Sequence, residues 1–391
     1  NGKRPSIDHG YQDSIESYID EENENEYIGN FKEQQQMIRA KSETPQPFLD
    51  ANGANIYTKF VLDDKLKSYC EILPTCDFDA TAFDVQQDLE AFVMFAIDES
   101  GLIEEFKLNI PKLTKFIHSI AKLYRTNPFH NWQHGFFVFH FVLYFIKTQA
   151  NIWQVLSKKE LLAILIAGLC HDVDHPGNDN LYEIEADTDL ARIYNGLSVL
   201  ENHHTYTTLA LLRKSELNFF QGSSLDKKEI KSIKKIITKS IMATDMSHHS
   251  EAIGWLNDFV TEKVIDETLK DPKLKDMKKN EIRSKLCQCI VHMGDLSAQT
   301  YPWRIAKEWE RRIAREFKQQ TIKETKLDIP VRDWMAKTDL TTRYKNQFFF
   351  VTHVVKPLWE PAAALFPEME ERLSTLKSNS AKYIEIANKK A

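Results

Sequence analysis

Thirteen histidines run through this 391-residue chain, and seven of them fall between His130 and His204. Imidazoles at that density, interleaved with aspartates, are the raw material of a metal site. His130 and His134 stand four residues apart in His-Asn-Trp-Gln-His, so on a helix they share one face. An i, i+4 pair by itself equally suits two structural histidines with satisfied hydrogen bonds. The run Cys170-His171-Asp172-Val173-Asp174-His175-Pro176 is more demanding. It follows the apolar stretch Leu161–Leu169, and charge at the end of a buried segment must be paired or metal-bound. Imidazole is a borderline donor and carboxylate a hard one. Together they suit Zn²⁺, or Zn²⁺ beside Mg²⁺ or Mn²⁺.

Three further polar clusters follow: Leu200-Glu201-Asn202-His203-His204, Thr244-Asp245-Met246 with His248 and His249, and His292-Met293-Gly294-Asp295. Taken singly, an aspartate such as Asp295 after an apolar run reads as a helix cap. Taken together, two or three His and two Asp form the donor set of a binuclear hydrolase. Metals roughly 3.5–4 Å apart can hold a hydroxide between them for attack on phosphorus. A remaining His can protonate the leaving oxygen. There is no GxxxxGK[ST] and no GxGxxG, so phosphate handling would rest on metals.

The elements that must position these residues read as helices. Gly and Pro are scarce, at 12 and 13, and all-β folds need them for frequent turns. Apolar residues recur at helical spacing over 83–97, 111–124, 200–212, 227–242, 279–295 and 305–320. Pro272, Pro302, Pro330 and Pro357 are expected to punctuate them. Phe136–Phe145 has strand-like aromatic content, but its length and the His spacing before it favour a helix. The Lys-rich stretch 263–285 reads as a solvated helical face with a loop. No internal repeat is found. The apolar runs Phe136–Ile146 and Leu161–Cys170 are each about half of the roughly 20 residues that a membrane span needs.

Residues 1–50 are different. The stretch 13–33 is rich in Glu, Asp, Asn and Gln and poor in aliphatic side chains, so it buries too little to offset its ordering entropy. It reads as an acidic tail or linker, with the folded domain over 51–391. A chain that begins with Asn1 is expected to be a piece of a longer protein, with regulatory or targeting domains outside it. The net charge of −6 lacks the basic stripe that nucleic acid requires. Five cysteines, an odd count with no CxxC, point to buried thiols in a reducing compartment, the cytoplasm.

At this point the residues resemble a known family. NPFHNWQH (127–134), LCHDVDHPG (169–177), LENHH (200–204), ATDMSHH (243–249), HMGDLS (292–297), NQFFF (346–350) and KPLWE (356–360) are similar to the class I cyclic-nucleotide phosphodiesterases. They occur in the family's order over some 230 residues. The resemblance implies an all-α catalytic domain of the HD type, about sixteen helices around a deep binuclear metal pocket. It implies His134, His171, Asp172 and Asp295 as zinc ligands, with Asp172 bridging to a second metal, Mg²⁺ or alternatively Mn²⁺. His175, Glu201 and Thr244 match the groups that hold that metal's waters. His130 matches the general acid, with Glu201 orienting its ring. Gln347 matches the purine-binding glutamine and Phe350 the stacking ring. Ile313 is the opposite apolar jaw, and Phe317, Met246 and Leu296 also line the pocket. The implied reaction is in-line attack by a metal-bridged hydroxide, opening the cyclic phosphate of cAMP, and also of cGMP, to a nucleoside 5′-monophosphate.

The sequence departs from the family at three positions. Phe129 stands where Tyr is common, Ala298 where cAMP-specific members carry Asn, and Tyr301 where Lys is frequent. Ala298 loosens strict cAMP specificity, and a glutamine amide can flip donor and acceptor, so the reading leans to cAMP with some cGMP. An HD-type nucleotidase would not require LENHH or the Gln347–Phe350 pair. A catalytically dead regulatory module would be expected to lack a ligand or the general acid. The sequence is compatible with a monomer or a homodimer.

Overall fold

The computed structural model describes residues 62–389 apart from 150, 266–269, 271–274 and 337–338. The acidic tail, the domain boundary at residue 51 and Pro272 lie outside the described residues. The described residues form helices, turns and loops, with no strand among them. Among the described residues there are eighteen α-helical segments, six of them no longer than six residues, which accounts for the excess over sixteen. The twelve longer ones are α1 (Gln86–Glu99), α2 (Ile110–Leu123), α3 (Trp132–Thr148), α4 (Lys158–Cys170), α5 (Val199–Leu211), α6 (Lys227–Met242), α7 (His249–Thr261), α8 (Asp276–Asp295), α9 (Trp303–Lys326), α10 (Leu340–Phe350), α11 (Lys356–Leu365) and α12 (Glu370–Lys389). Among the described residues no helix is long and apolar enough to cross a membrane.

The centre is α3 and α4. Phe136–Ile146 and Leu161–Cys170 are buried on every side, as befits helices apolar all round. This explains why aromatic content misleads over Phe136–Phe145. The segment meets neighbours on every face, so burial outweighs intrinsic preference. α3 starts where the Asn131 side chain accepts from the His134 N–H. α4 starts in a capping box of Ser157 and Glu160. α4 packs on α3 and α6, and α8 packs on both α3 and α4.

The approach of α8 to α3 depends on glycine. A Cβ at Gly294 would sit 2.9 Å from the Phe141 ring and 3.1 Å from Val138. The missing side chain lets the end of α8 lie on the helix that carries His134.

The prolines act unequally. Pro302 caps α9 and Pro330 lies in a loop. Pro357 does not stop the chain. A π-helical turn over Val351–Val355 joins α10 directly to α11, whose first turn contains Pro357. The first turn of a helix tolerates the missing N–H.

Candidate metal centre and nucleotide cavity

His134 lies in the first turn of α3, His171 caps the end of α4, Asp172 follows it, and Asp295 is the last residue of α8. Three helix ends thus bring four donors together, all within 4.8 Å of one another. His134 Nε2 is 3.1 Å from His171 Nε2 and 3.1 Å from Asp295 Oδ1. Asp172 Oδ2 is 3.2 Å from His134 Nε2 and 3.0 Å from His171 Nε2. His171 Nε2 to Asp295 Oδ1 is 3.4 Å. Donors about 2.1 Å from a tetrahedral cation lie about 3.4 Å from one another, so the set fits one ion. His171 Nδ1 contacts the Gly168 carbonyl at 2.9 Å. A carbonyl only accepts, so Nδ1 carries a proton, and Nε2 is the ring atom that faces the other donors.

The charge state agrees. Burial alone would raise both aspartates. The His171 charge and hydrogen bonds from His134 and His171 outweigh it, holding Asp172 well below and Asp295 below the usual carboxylate range. Burial would lower His171, but the Asp172 and Asp295 charges outweigh it and hold His171 well above the usual imidazole range, so a dication bound here would take the place of its Nε2 proton.

Asp172 also faces the other way. Its Oδ1 is 3.6 Å from His204 Nε2, and Asp172, His175 and His204 form a second group of convergent donors. His204 Nδ1 donates to the Val173 carbonyl at 2.7 Å, and its buried Nε2 has no hydrogen-bond partner. Burial keeps both rings neutral: His204 is pushed down to about 4 and His175 well below the usual imidazole range, the latter helped by the His130 charge. One carboxylate with an oxygen toward each group suits a bridging ligand. Glu201 is buried and takes the Asn180 amide at 3.0 and 3.2 Å. Burial, then the Asp245 charge, pushes its carboxyl up to about 7. Thr244 is buried and donates to the Ile241 carbonyl at 2.7 Å.

His130 stands on the loop before α3, with Nε2 4.0 Å from Asp172 Oδ2. Its ring lies flat on His175 at 3.9 Å. The carboxylate against its Nδ1 belongs to Glu316 of α9, whereas Glu201 is engaged with Asn180. The contact with the His130 ring that was expected of Glu201 is thus made by Glu316 among the described residues. Glu316 Oε2 also accepts the backbone N–H groups of Phe129 and His130, at 2.8 and 3.0 Å. Burial would lower the imidazole, but the charge and hydrogen bond of Glu316 prevail and hold it at about 9. The sequence reading missed Glu316 and gave His204 no role. The available signal for Glu316 was a carboxylate on the apolar face of α9, between Ile313 and Phe317.

The two loops of the centre are tied by Asn127, whose amide donates to the carbonyls of His130 and His175, both at 2.8 Å. Gly177 at φ +75° leaves room for it, since a Cβ there would lie 2.8 Å from Asn127 Oδ1. Asp174, also left-handed at φ +63°, binds Arg125 Nε at 2.7 Å and His203 Nε2 at 2.9 Å.

A cavity of about 450 Å³ opens between α9, α10 and the segment Asp333–Ala336. Ile313, Phe317, Gln347 and Phe350 all line it, with Trp334 and Met335. Met246 and Leu296 are not among its lining residues. Met246 is exposed in the turn Met246–His248, and Leu296 closes α8 against the core. Tyr301 is buried and pairs with His140 at 2.9 Å, so that departure from the family serves the core.

The model of the 3′5′-cyclic nucleotide phosphodiesterase family matches residues 129–376. The chain belongs to this family. The match starts one residue before His130 and takes in every donor of the metal centre. Among curated phosphodiesterases, the chain is 33% identical over 310 residues to 3′,5′-cyclic-nucleotide phosphodiesterase regA of Dictyostelium discoideum, covering 79% of this chain and 37% of that protein. It is 30% identical over 287 residues to the human high affinity cGMP-specific 3′,5′-cyclic phosphodiesterase 9A, covering 73% and 46%. It is also 30% identical over 288 residues to a probable 3′,5′-cyclic-AMP phosphodiesterase, pde-4, of Caenorhabditis elegans, covering 73% and 41%. The chain thus spans less than half the length of these relatives. The crystal structure of the phosphodiesterase domain of the Salpingoeca rosetta rhodopsin phosphodiesterase superposes with a TM-score of 0.75 at 30% identity, covering 85% of this chain and 96% of that one. The all-helical fold is thus that of a phosphodiesterase catalytic domain, and its His/Asp cluster lies within the matched segment.

Proposed function

We propose that this phosphodiesterase domain hydrolyses 3′,5′-cyclic nucleotides, cAMP and cGMP, to nucleoside 5′-monophosphates. The observation that carries this is the meeting of the four-donor set and the Glu316-held His130 on one carboxylate, Asp172. His134, His171, Asp172 and Asp295 would hold Zn²⁺. Asp172 would reach a second ion, Mg²⁺ or Mn²⁺, with His175, Glu201 and Thr244 holding its waters. Such a pair of ions supplies positive charge to the phosphate and a water acidic enough to act as nucleophile.

The protein's own part is proton delivery and positioning. His130, kept cationic by Glu316, donates from Nε2 to the departing O3′. Nδ1 stays on the Glu316 carboxylate throughout, so the ring cannot turn. Ile313 and Phe350 clamp the base, Phe317 extends the apolar wall, and Gln347 hydrogen-bonds the purine edge. Among the described residues no hydrogen bond fixes the Gln347 amide, which supports acceptance of both bases. Residues 51–391 are read as the catalytic domain with 1–50 as a polar tail, and the five free thiols fit the cytoplasm.

The test is initial-rate hydrolysis of cAMP and cGMP with Mg²⁺ for the natural protein and for His130→Ala. Formation of 5′-nucleotide that collapses in the variant, with bound metal retained, supports the reading. No turnover of either nucleotide by folded, metal-loaded protein would overturn it.

A further inference from the structure

The cavity wall holds a charged pair that neither metal chemistry nor base stacking uses. Glu310 and Arg343 face each other across it, α9 against α10, in a bidentate contact of 3.1 and 2.7 Å. Glu310 is 3% exposed. The rest of the wall is mainly apolar, with Ile313, Phe317, Trp334 and Phe350. A buried ion pair contributes little net stability, and apolar replacements of similar volume are often neutral or better. Stability alone therefore gives no reason for this pair to stand in an apolar cavity.

Its placement gives one. Arg343 and Gln347 are four residues apart on α10, on one face, and both line the cavity. Glu310 occupies Nε and Nη2 of the guanidinium, and among the described residues Nη1 has no partner. Arg343 thus offers the purine cavity unclaimed N–H donors on a fixed cation. Guanine presents two acceptors, O6 and N7, on the edge where adenine presents N7 and an amino donor. A cationic donor is complementary to the first edge and faces a like donor on the second.

We propose that Arg343, braced by Glu310, is a base-selecting residue that turns the cavity toward guanine. The preference is therefore for cGMP, opposite to the lean read from the sequence. This rests on the reading of the cavity as a cyclic-nucleotide site.

The experiment compares kcat/KM for cGMP, cAMP and cIMP in the natural protein, in Arg343→Met and in the double variant Glu310→Gln/Arg343→Met, which leaves no unpaired buried carboxylate. Binding of the same nucleotides to chelator-treated protein is measured by calorimetry alongside. The natural protein is expected to favour cGMP. Both variants are expected to lose about tenfold or more in the cGMP-to-cAMP ratio. cIMP keeps O6 and N7 without the 2-amino group, and it is expected to behave as cGMP does. An unchanged ratio, an equal loss for both nucleotides, or cIMP behaving as cAMP would each overturn the assignment. Selective loss of cGMP binding in the variants, in a protein that turns over neither nucleotide, would uphold the base selection while sinking the hydrolytic reading.

Discussion

Glu316 grips His130 at two places. One carboxylate oxygen takes the backbone N–H groups of Phe129 and His130, and the other touches Nδ1 of the ring. One side chain from α9 thereby fixes both the position of the loop and the charge of its imidazole. Glu316 itself is held at about 2, burial being outweighed by the His130 charge and hydrogen bond.

The His130 value of about 9 sets the sign of the pH dependence. The acid form is present below that value and lost as pH rises through it, so kcat/KM is expected to fall on the alkaline side. Glu316→Gln removes the opposing charge while the burial that lowers the imidazole remains. The alkaline limb then moves to lower pH and the rate falls by about a hundredfold. A pH–rate profile unmoved by the substitution would contradict the pairing.

Asp295→Ala removes one of four donors and leaves His134 and His171 beside Asp172. Zinc content of the purified variant is expected to fall to a small fraction of the natural level. Chelation of the natural protein is expected to abolish turnover, and added divalent metal to restore it. Full zinc occupancy in Asp295→Ala would rule Asp295 out as a ligand.

Gly294→Ala places a methyl group against Phe141 and Val138. Neither neighbour can yield without moving α3 or α8, so destabilisation of about 1–3 kcal/mol is expected. Metal affinity should fall as well, because Asp295 moves with α8 relative to His134. Urea unfolding and metal titration check the two effects separately, and unchanged stability would mean that the helices are less tightly apposed.

Asp174 is held at about 2, because its hydrogen bonds and charge contacts with His203 and Arg125 outweigh burial. A depressed carboxylate stabilises the fold above its unfolded value of about 3.9. That contribution is lost as pH falls through about 2. Asp174→Asn is expected to cost about 1 kcal/mol at pH 7, allowing for solvent screening of a partly exposed group. The gap from the natural protein should close between about pH 4 and pH 2 in chelator-treated samples. A gap independent of pH would mean that the ion pairs contribute nothing.

The donors of the candidate metal centre were legible because ligand chemistry is local in type and dense in sequence. His171 and Asp172 are adjacent, and both follow an apolar run that must be buried. Helix positions were legible because the 3.6-residue period survives tertiary packing. Glu316 was not legible. It lies 186 residues from His130, and its position between Ile313 and Phe317 marks it as an inward carboxylate without naming its partner. Arg343 and Glu310 were not legible for the same reason, being 33 residues apart on two different helices. The family resemblance grouped Met246 and Leu296 with Ile313, Phe317, Gln347 and Phe350, whereas the cavity between α9 and α10 is lined by the last four and by neither of the first two. A turn and a helix end follow the local backbone, which motif spacing does not specify.

By itself, then, the sequence determined which residue types were present to bind metal, that helices would carry them, and that the family's motifs occur in order. Composition and periodicity depend only on neighbours along the chain. Tertiary structure decided which carboxylate charges His130, that Asp172 offers one oxygen to each of two donor groups, and that the Arg343 guanidinium lines one cavity with the Gln347 amide. Those relationships arise where helix ends and faces from distant segments converge, and burial there, by removing water, turns a distance of a few ångströms into a protonation state.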